Sequence, residues 1–283
     1  MPIARIAVVG AGTMGHGIAQ VALQAGYTVS LCDSAPEVLD RGAAMVRAGL
    51  DRAVEKGRLA PADRDTALGR LAATTDTGAA AAVADLIIEA VPERMEIKRS
   101  VFALIEEAAA PLAILASNTS SLSIGALAAG LGHPQRFLGM HFFNPVPVMT
   151  LLEIVVHPGT APDVLAAARA AGERMGKTCI VVNDSPGFAS SRLGVALGLE
   201  AMRMVEEGVA SAADIDAAME LGYRHPMGPL RLTDLVGLDV RLGIAEYLDQ
   251  ALGGETFRPP QILRDMVREG RLGRKSGRGF YEW

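Results

Sequence analysis

Through its first two-thirds the chain alternates short apolar runs with longer stretches of mixed polarity. Runs at 5–9, 27–32, 71–74, 85–91, 113–116, 137–142, 151–156 and 179–182 predict strands, because each is short, apolar and bounded by turn-forming or charged residues. The stretch 13–25 predicts a helix that ends at Gly26, and 36–56 predicts a longer one whose charge rises towards its end. Strands alternating with helices imply a parallel sheet covered on both faces.

The pattern changes near Asp184–Gly187. Residues 188–207 are apolar around almost the whole helical circumference, interrupted by Arg192, Glu200 and Arg203, which predicts a helix buried on most sides. Helical patterns follow at 212–221, 239–252 and 260–269, and a strand-like pattern returns only at 279–283. The fold class expected is therefore α/β: a doubly wound, mostly parallel Rossmann-type sheet in residues 1–184, then a smaller all-helical domain in 185–283. The apolar helix also suggests a homodimer, since one small helical domain could hardly bury it all round.

Composition narrows the function classes. A length of 283 residues, with half of them hydrophobic, suits an ordinary globular protein of one large or two medium domains. The net charge of -5 argues against a nucleic-acid surface, although local basic clusters can still bind phosphates. The two cysteines, Cys32 and Cys179, lie in strand-like runs and read as buried thiols, with no disulfide framework and no metal-ligand spacing. The first apolar run is too short for a signal-peptide core and no stretch approaches a membrane span, so a cytoplasmic protein is expected.

Gly10-Ala11-Gly12-Thr13-Met14-Gly15 is a G-x-G-x-x-G between a predicted strand and a predicted helix. In that setting the first glycine permits a tight turn, the second lets the backbone approach a pyrophosphate, and the third lets helix and strand pack closely. Asp33 lies 18 residues beyond Gly15, at the end of the second strand, where an acid can hydrogen-bond the adenosine ribose and repel a 2′-phosphate. NAD is the cofactor implied, in preference to NADP.

An alcohol dehydrogenase needs a base for the hydroxyl proton, and histidine is suited to it. Of the five histidines, His16 reads as packing in the glycine-loop helix. His133 and His157 precede prolines in loop-like sequence and read as solvent-facing, and His225 is ambiguous. His141 ends the 137–142 strand, where α/β folds place ligands. The residues alone leave it open between a base and a satisfied core histidine. Glu153 interrupts the apolar run 151–156, and a buried carboxylate there needs a partner, for which a nearby imidazole would serve. An edge-strand acid facing water is the alternative.

Gly10–Gly15, Ser117-Asn118-Thr119-Ser120-Ser121, His141-Phe142-Phe143-Asn144-Pro145-Val146-Pro147, Asp184-Ser185-Pro186-Gly187-Phe188 and the terminal stretch 273–281 together resemble the L-3-hydroxyacyl-coenzyme A dehydrogenase family, over essentially the whole chain. The resemblance is closest to its short bacterial 3-hydroxybutyryl-CoA members, and the His-Phe-Phe-Asn-Pro motif is its most specific part. It implies an acyl-CoA substrate, with His141 as base, Glu153 as its partner and Ser120 touching both the substrate's C3 oxygen and the nicotinamide end. It implies NAD contacts at Glu93, Lys98, Ser120, Asn144 and Lys275, and a coenzyme A contact at Lys56.

One position departs from the pattern. Ser191 stands where the family carries an active-site asparagine before Arg192. Serine offers a shorter hydrogen-bonding group, which a water could extend, so Ser191 is kept in the catalytic set. Two other readings stay open. A dehydrogenase of a free sugar acid would be expected to lack the second phenylalanine of His141-Phe142-Phe143. A non-catalytic NAD-binding structural dimer is favoured by Ser191 alone.

Overall fold

The computed structural model describes residues 3–283. The chain divides into two compact units, Met1–Asp184 and Ser185–Trp283.

The first unit is built on eight strands: β1 Arg5–Val9, β2 Thr28–Cys32, β3 Leu71–Thr74, β4 Leu86–Glu89, β5 Ile114–Ser117, β6 Phe137–Phe142, β7 Leu151–Val156 and β8 Thr178–Asn183. Their order in the sheet is β3-β2-β1-β4-β5-β6-β7-β8, and every pairing is parallel except β6 with β7. The strands β4, β5 and β6 are buried along their whole length, as expected of central strands covered on both faces. Helices α1 Thr13–Gln24, α2 Pro36–Glu55, α3 Pro61–Leu68, α4 Thr77–Ala82, α5 Met95–Ala108, α6 Ile124–Ala128 and α7 Pro162–Arg174 connect them. Ile6, Val8, Leu31 and Ile88 of the sheet pack with Ile18, Leu23, Val46 and Leu50 of α1 and α2 in one core. Strand order reverses between β1 and β4, and that switch point is where open α/β sheets take ligands.

The second unit is helical: α8 Ser190–Glu206, α9 Ala212–Ala217, α10 Pro229–Val236, α11 Leu238–Leu252 and α12 Gln261–Arg268, with a π turn at Ala218–Gly222. Its core gathers Val195, Leu199 and Met202 of α8 with Leu230, Leu238, Leu248 and Leu263.

Five sequence expectations need correction. The apolar helix begins at Ser190, not at Phe188, which sits just before it at positive φ. Within this chain that helix is buried on one face only, and Leu193 is 71% exposed. The terminal stretch forms isolated bridges rather than a strand. It is held instead by the buried Asp234 of α10, whose carboxylate accepts the backbone N–H of Phe280 and Tyr281 and the Trp283 indole N–H, all at 2.9 Å. Cys179 is half-buried, since β8 is the sheet's outer strand, while Cys32 is buried as expected. His157 is buried, not solvent-facing: its Nε2 lies 3.0 Å from the Pro134 carbonyl and its Nδ1 accepts the Gly159 N–H.

Candidate active site

Between β1 and α1 the glycine loop folds as its spacing requires. Gly10 has φ +104, and a Cβ there would press on the Ala90 carbonyl at 2.5 Å. A Cβ at Gly15 would overlap Gly10's own carbonyl oxygen, so loop and helix close on each other. A Cβ at Gly12 would meet nothing within 4 Å, which leaves open space above the N-terminus of α1. No side chain caps that helix, so its first N–H groups remain for an anion. Asp33 follows β2 and braces the loop, accepting the Ala11 N–H at 2.9 Å and the Ala35 N–H at 3.0 Å. Each of its oxygens retains a lone pair for a ribose hydroxyl. These features fit a dinucleotide.

His141 and Glu153 face each other directly in the antiparallel register of β6 and β7. His141 Nδ1 lies 2.7 Å from Glu153 Oε2, and the carboxylate is fully buried. An Nδ1–H donated to a carboxylate fixes the tautomer in which Nε2 carries the lone pair of the neutral ring. The water-facing alternative for Glu153 therefore does not hold. Phe143 packs its ring 4.4 Å from the imidazole, centroid to centroid.

Ser120 belongs to the loop after β5. Its N–H and hydroxyl both lie against Glu93 Oε1, at 2.8 and 3.2 Å, and the same oxygen accepts the Thr119 hydroxyl at 2.6 Å. Burial alone would raise the Glu93 pKa, but Lys98 and these hydrogen bonds outweigh it and hold the carboxyl below its ordinary value. Lys98 is fully buried: its ammonium reaches Glu89 at 2.6 Å, Glu93 at 3.2 Å and the Val91 carbonyl at 3.4 Å. Glu89, which ends β4, also accepts the Ser117 hydroxyl at 2.6 Å. Its burial pushes its pKa up, against the pull of Lys98.

One cavity of about 320 Å³ is lined by Met14 of the glycine loop, Glu93, Asn118, Ser120, His141 and Asn144, among others. The structure thus brings together the loop, the histidine and the serine named from sequence, with the exposed Asn144 at the same wall. Lys56 lines a different cavity of the same unit, beside His16, Arg52 and Arg58. In the helical unit, Ser191 is half-buried in the first turn of α8, and Lys275 is ion-paired with Asp239.

The family model for the NAD binding domain of 3-hydroxyacyl-CoA dehydrogenase matches residues 5–185, and the model for that family's C-terminal domain matches residues 187–283. The chain belongs to the 3-hydroxyacyl-CoA dehydrogenase family. As a member of it, the protein is an NAD-dependent dehydrogenase. It is 46% identical over 279 residues to a probable 3-hydroxybutyryl-CoA dehydrogenase of Deinococcus radiodurans, covering 99% of this chain and 100% of that one. It is 44% identical to a probable 3-hydroxybutyryl-CoA dehydrogenase of Bacillus subtilis, over 100% of this chain and 98% of that one. The crystal structure of the (S)-3-hydroxybutyryl-CoA dehydrogenase of Ralstonia eutropha superposes with a TM-score of 0.96 at 40% identity, covering 100% of this chain and 99% of that one.

Two residues of this dehydrogenase went unread in its sequence. Glu89 ends the apolar run Leu86-Ile87-Ile88, so the reasoning that singled out Glu153 would have found it. Lys177 is buried with its ammonium on the Val146 and Met149 carbonyls, at 2.5 and 2.7 Å. No pattern marks it, because a lysine after a glycine normally reads as a solvated turn.

Proposed function

We propose that the protein interconverts (S)-3-hydroxybutyryl-CoA and acetoacetyl-CoA with NAD and NADH, as a cytoplasmic homodimer. The observation that carries this reading is the His141–Glu153 pair, opening on the same cavity as Ser120 and the glycine loop.

Bound NAD would supply the hydride acceptor for the substrate's C3, and NADH the hydride donor for the reverse direction. The chain's own work is to hold the partners and move one proton. His141 Nε2 takes the hydroxyl proton as the C3–O bond becomes a carbonyl, and it gives that proton back to the oxygen in reduction. Glu153 fixes the ring and stabilises the imidazolium that forms, at short range and away from water. The Ser120 hydroxyl orients the C3 oxygen. Gly10, Ala11, Gly12, Thr13, Met14 and Gly15 form the pyrophosphate cradle, Asp33 takes the ribose, and the family resemblance adds Glu93, Lys98, Ser120, Asn144 and Lys275 as cofactor contacts. The cationic wall of Arg52, Lys56 and Arg58 supports a phosphate-bearing carrier over a free acid.

The domain roles follow the same reading: residues 1–184 bind NAD, and 185–283 serve the substrate and the dimer. Exposed Leu193, Leu232, Leu235, Val236 and Val240 of the helical unit support a second copy. Ser191 takes the place of the family's asparagine as the shorter hydrogen-bonding group.

Replacing the base tests the mechanism. His141→Gln should keep NADH affinity, read by fluorescence titration, while lowering acetoacetyl-CoA turnover about 10²–10⁴-fold, the usual worth of a positioned acid–base group. Near-normal turnover in the folded variant would remove His141 from the reaction.

A further inference from the structure

We propose that Glu89 is a positioning residue, which fixes Lys98 so that Lys98 in turn holds Glu93 against the Ser120 loop. The proposal takes Ser120 as part of the working site and so rests on the reading above.

Glu89 stands at a structural crossing. In the sheet it is paired with Val9, the last residue before the glycine loop, and with Ser117, which opens the Ser120 segment. Its Oε1 accepts Lys98 at 2.6 Å and the Val91 N–H at 2.7 Å, and its Oε2 accepts the Ser117 hydroxyl at 2.6 Å. Its backbone carbonyl accepts the Asn118 N–H at 2.8 Å, and Asn118 Oδ1 accepts the N–H of Phe142, the residue after His141.

Lys98 has three protons to donate, and Glu89, Glu93 and the Val91 carbonyl account for them. Its side chain is 1% exposed, so its ammonium is held almost wholly by these partners. The Glu93 side chain is 37% exposed, it lines the cavity, and one of its oxygens gathers Thr119, Ser120 and Ser121. Through Glu93, Lys98 thus also acts on the Ser120 loop.

Stability alone is a poor reason for such a chain. A buried ion pair is commonly no more stabilising than apolar residues of the same size, because two charges must be stripped of water. What the pair supplies is a single geometry. With Glu89 anchored at three points, Lys98 has one place to sit, and Glu93 is drawn to one rotamer.

A double-mutant cycle of Glu89→Gln and Lys98→Met tests this, with melting temperature, NADH Kd, kcat with acetoacetyl-CoA at saturating NADH, and coenzyme A Kd measured for each. Glu89→Gln should lower kcat about tenfold and raise the NADH Kd about threefold, while coenzyme A Kd stays within about twofold. In the Lys98→Met background the same change should add less than about twofold, because its effect is routed through the missing ammonium. Multiplying effects would show that Glu89 acts elsewhere and overturn the proposal, as would wild-type kcat and NADH Kd in folded Glu89→Gln. If Glu89→Gln does not fold, Ser117→Ala decides, since it removes one anchor without unbalancing charge. A two- to fivefold loss of kcat (roughly, the worth of one neutral hydrogen bond) supports the relay, and unchanged kinetics refutes it. NADH binding needs no acyl substrate, so a wild type that binds NADH but does not turn over acetoacetyl-CoA would refute the proposed function and leave the NADH Kd arm of the cycle readable.

Discussion

Glu89 and Glu153 both interrupt apolar strands, both are fully buried, and both carry a basic partner. The second was legible in the sequence because His141 stood nearby in a distinctive motif. The first carries the same signal, an acid closing an apolar run, but its partner Lys98 reads on a helix as a surface charge. A buried pair is readable when a distinctive motif marks one partner, and lost when both partners read as ordinary charges. Asp33 is the readable kind, since strand end and glycine loop fix its place. Its carboxylate would sit beside a 2′-phosphate, and like charges about 4 Å apart at an intermediate dielectric cost several kcal/mol. The wild type should accordingly use NADH at least about 100-fold more efficiently than NADPH. Asp33→Ala should narrow that ratio to about tenfold or less, with some loss of NADH affinity because Ala11 and Ala35 lose their acceptor. Equal efficiency with both cofactors in the wild type would contradict the ribose role.

At the scale of elements, buried parallel strands were the most legible feature, because burial on both faces leaves an unbroken apolar run. Their ends moved by a residue or two, which is the ordinary uncertainty of element boundaries. The terminal segment was misread because its alternation mimics a strand, while its actual partner is a buried aspartate on α10 that no local pattern announces. The loop from Asn144 to Thr150 is the element whose control was least visible. It meets α1 where Gly17 leaves room for Val146, and Lys177 ties it down from the far side of β7 in sequence. Burial lowers the Lys177 pKa from its ordinary value. The folded chain then releases that proton at a lower pH than the unfolded chain does. Between those two values the unfolded chain holds more protons, so stability rises with pH across the window just below the usual lysine value. Lys177→Met should flatten this rise relative to wild type in urea melts taken across that window. It should also raise the NADH KM severalfold, as Asn144 loses its anchored loop. An unchanged pH slope together with an unchanged KM would remove Lys177 from the control of this loop.

For the whole molecule, the sequence conveyed two units and their boundary through a change of period, from strands with helices to helices alone. It could not convey which charges gather where. The net charge is negative, yet Arg52, Lys56, Arg58 and His16 share one cavity wall on the sheet unit. Local field, not net charge, governs recognition of an anionic carrier. Among the described residues no helix is long and apolar enough to cross a membrane. The proposed reaction takes acyl groups carried by coenzyme A, with the remote carrier contributing binding energy to the reaction at C3. The most direct test is NADH oxidation by the purified wild type with acetoacetyl-CoA beside free acetoacetate. The thioester should show a kcat/KM at least about a thousandfold higher, equivalent to about 4 kcal/mol of transition-state stabilisation. Comparable efficiency with the free acid, or no NADH oxidation with acetoacetyl-CoA, would contradict it.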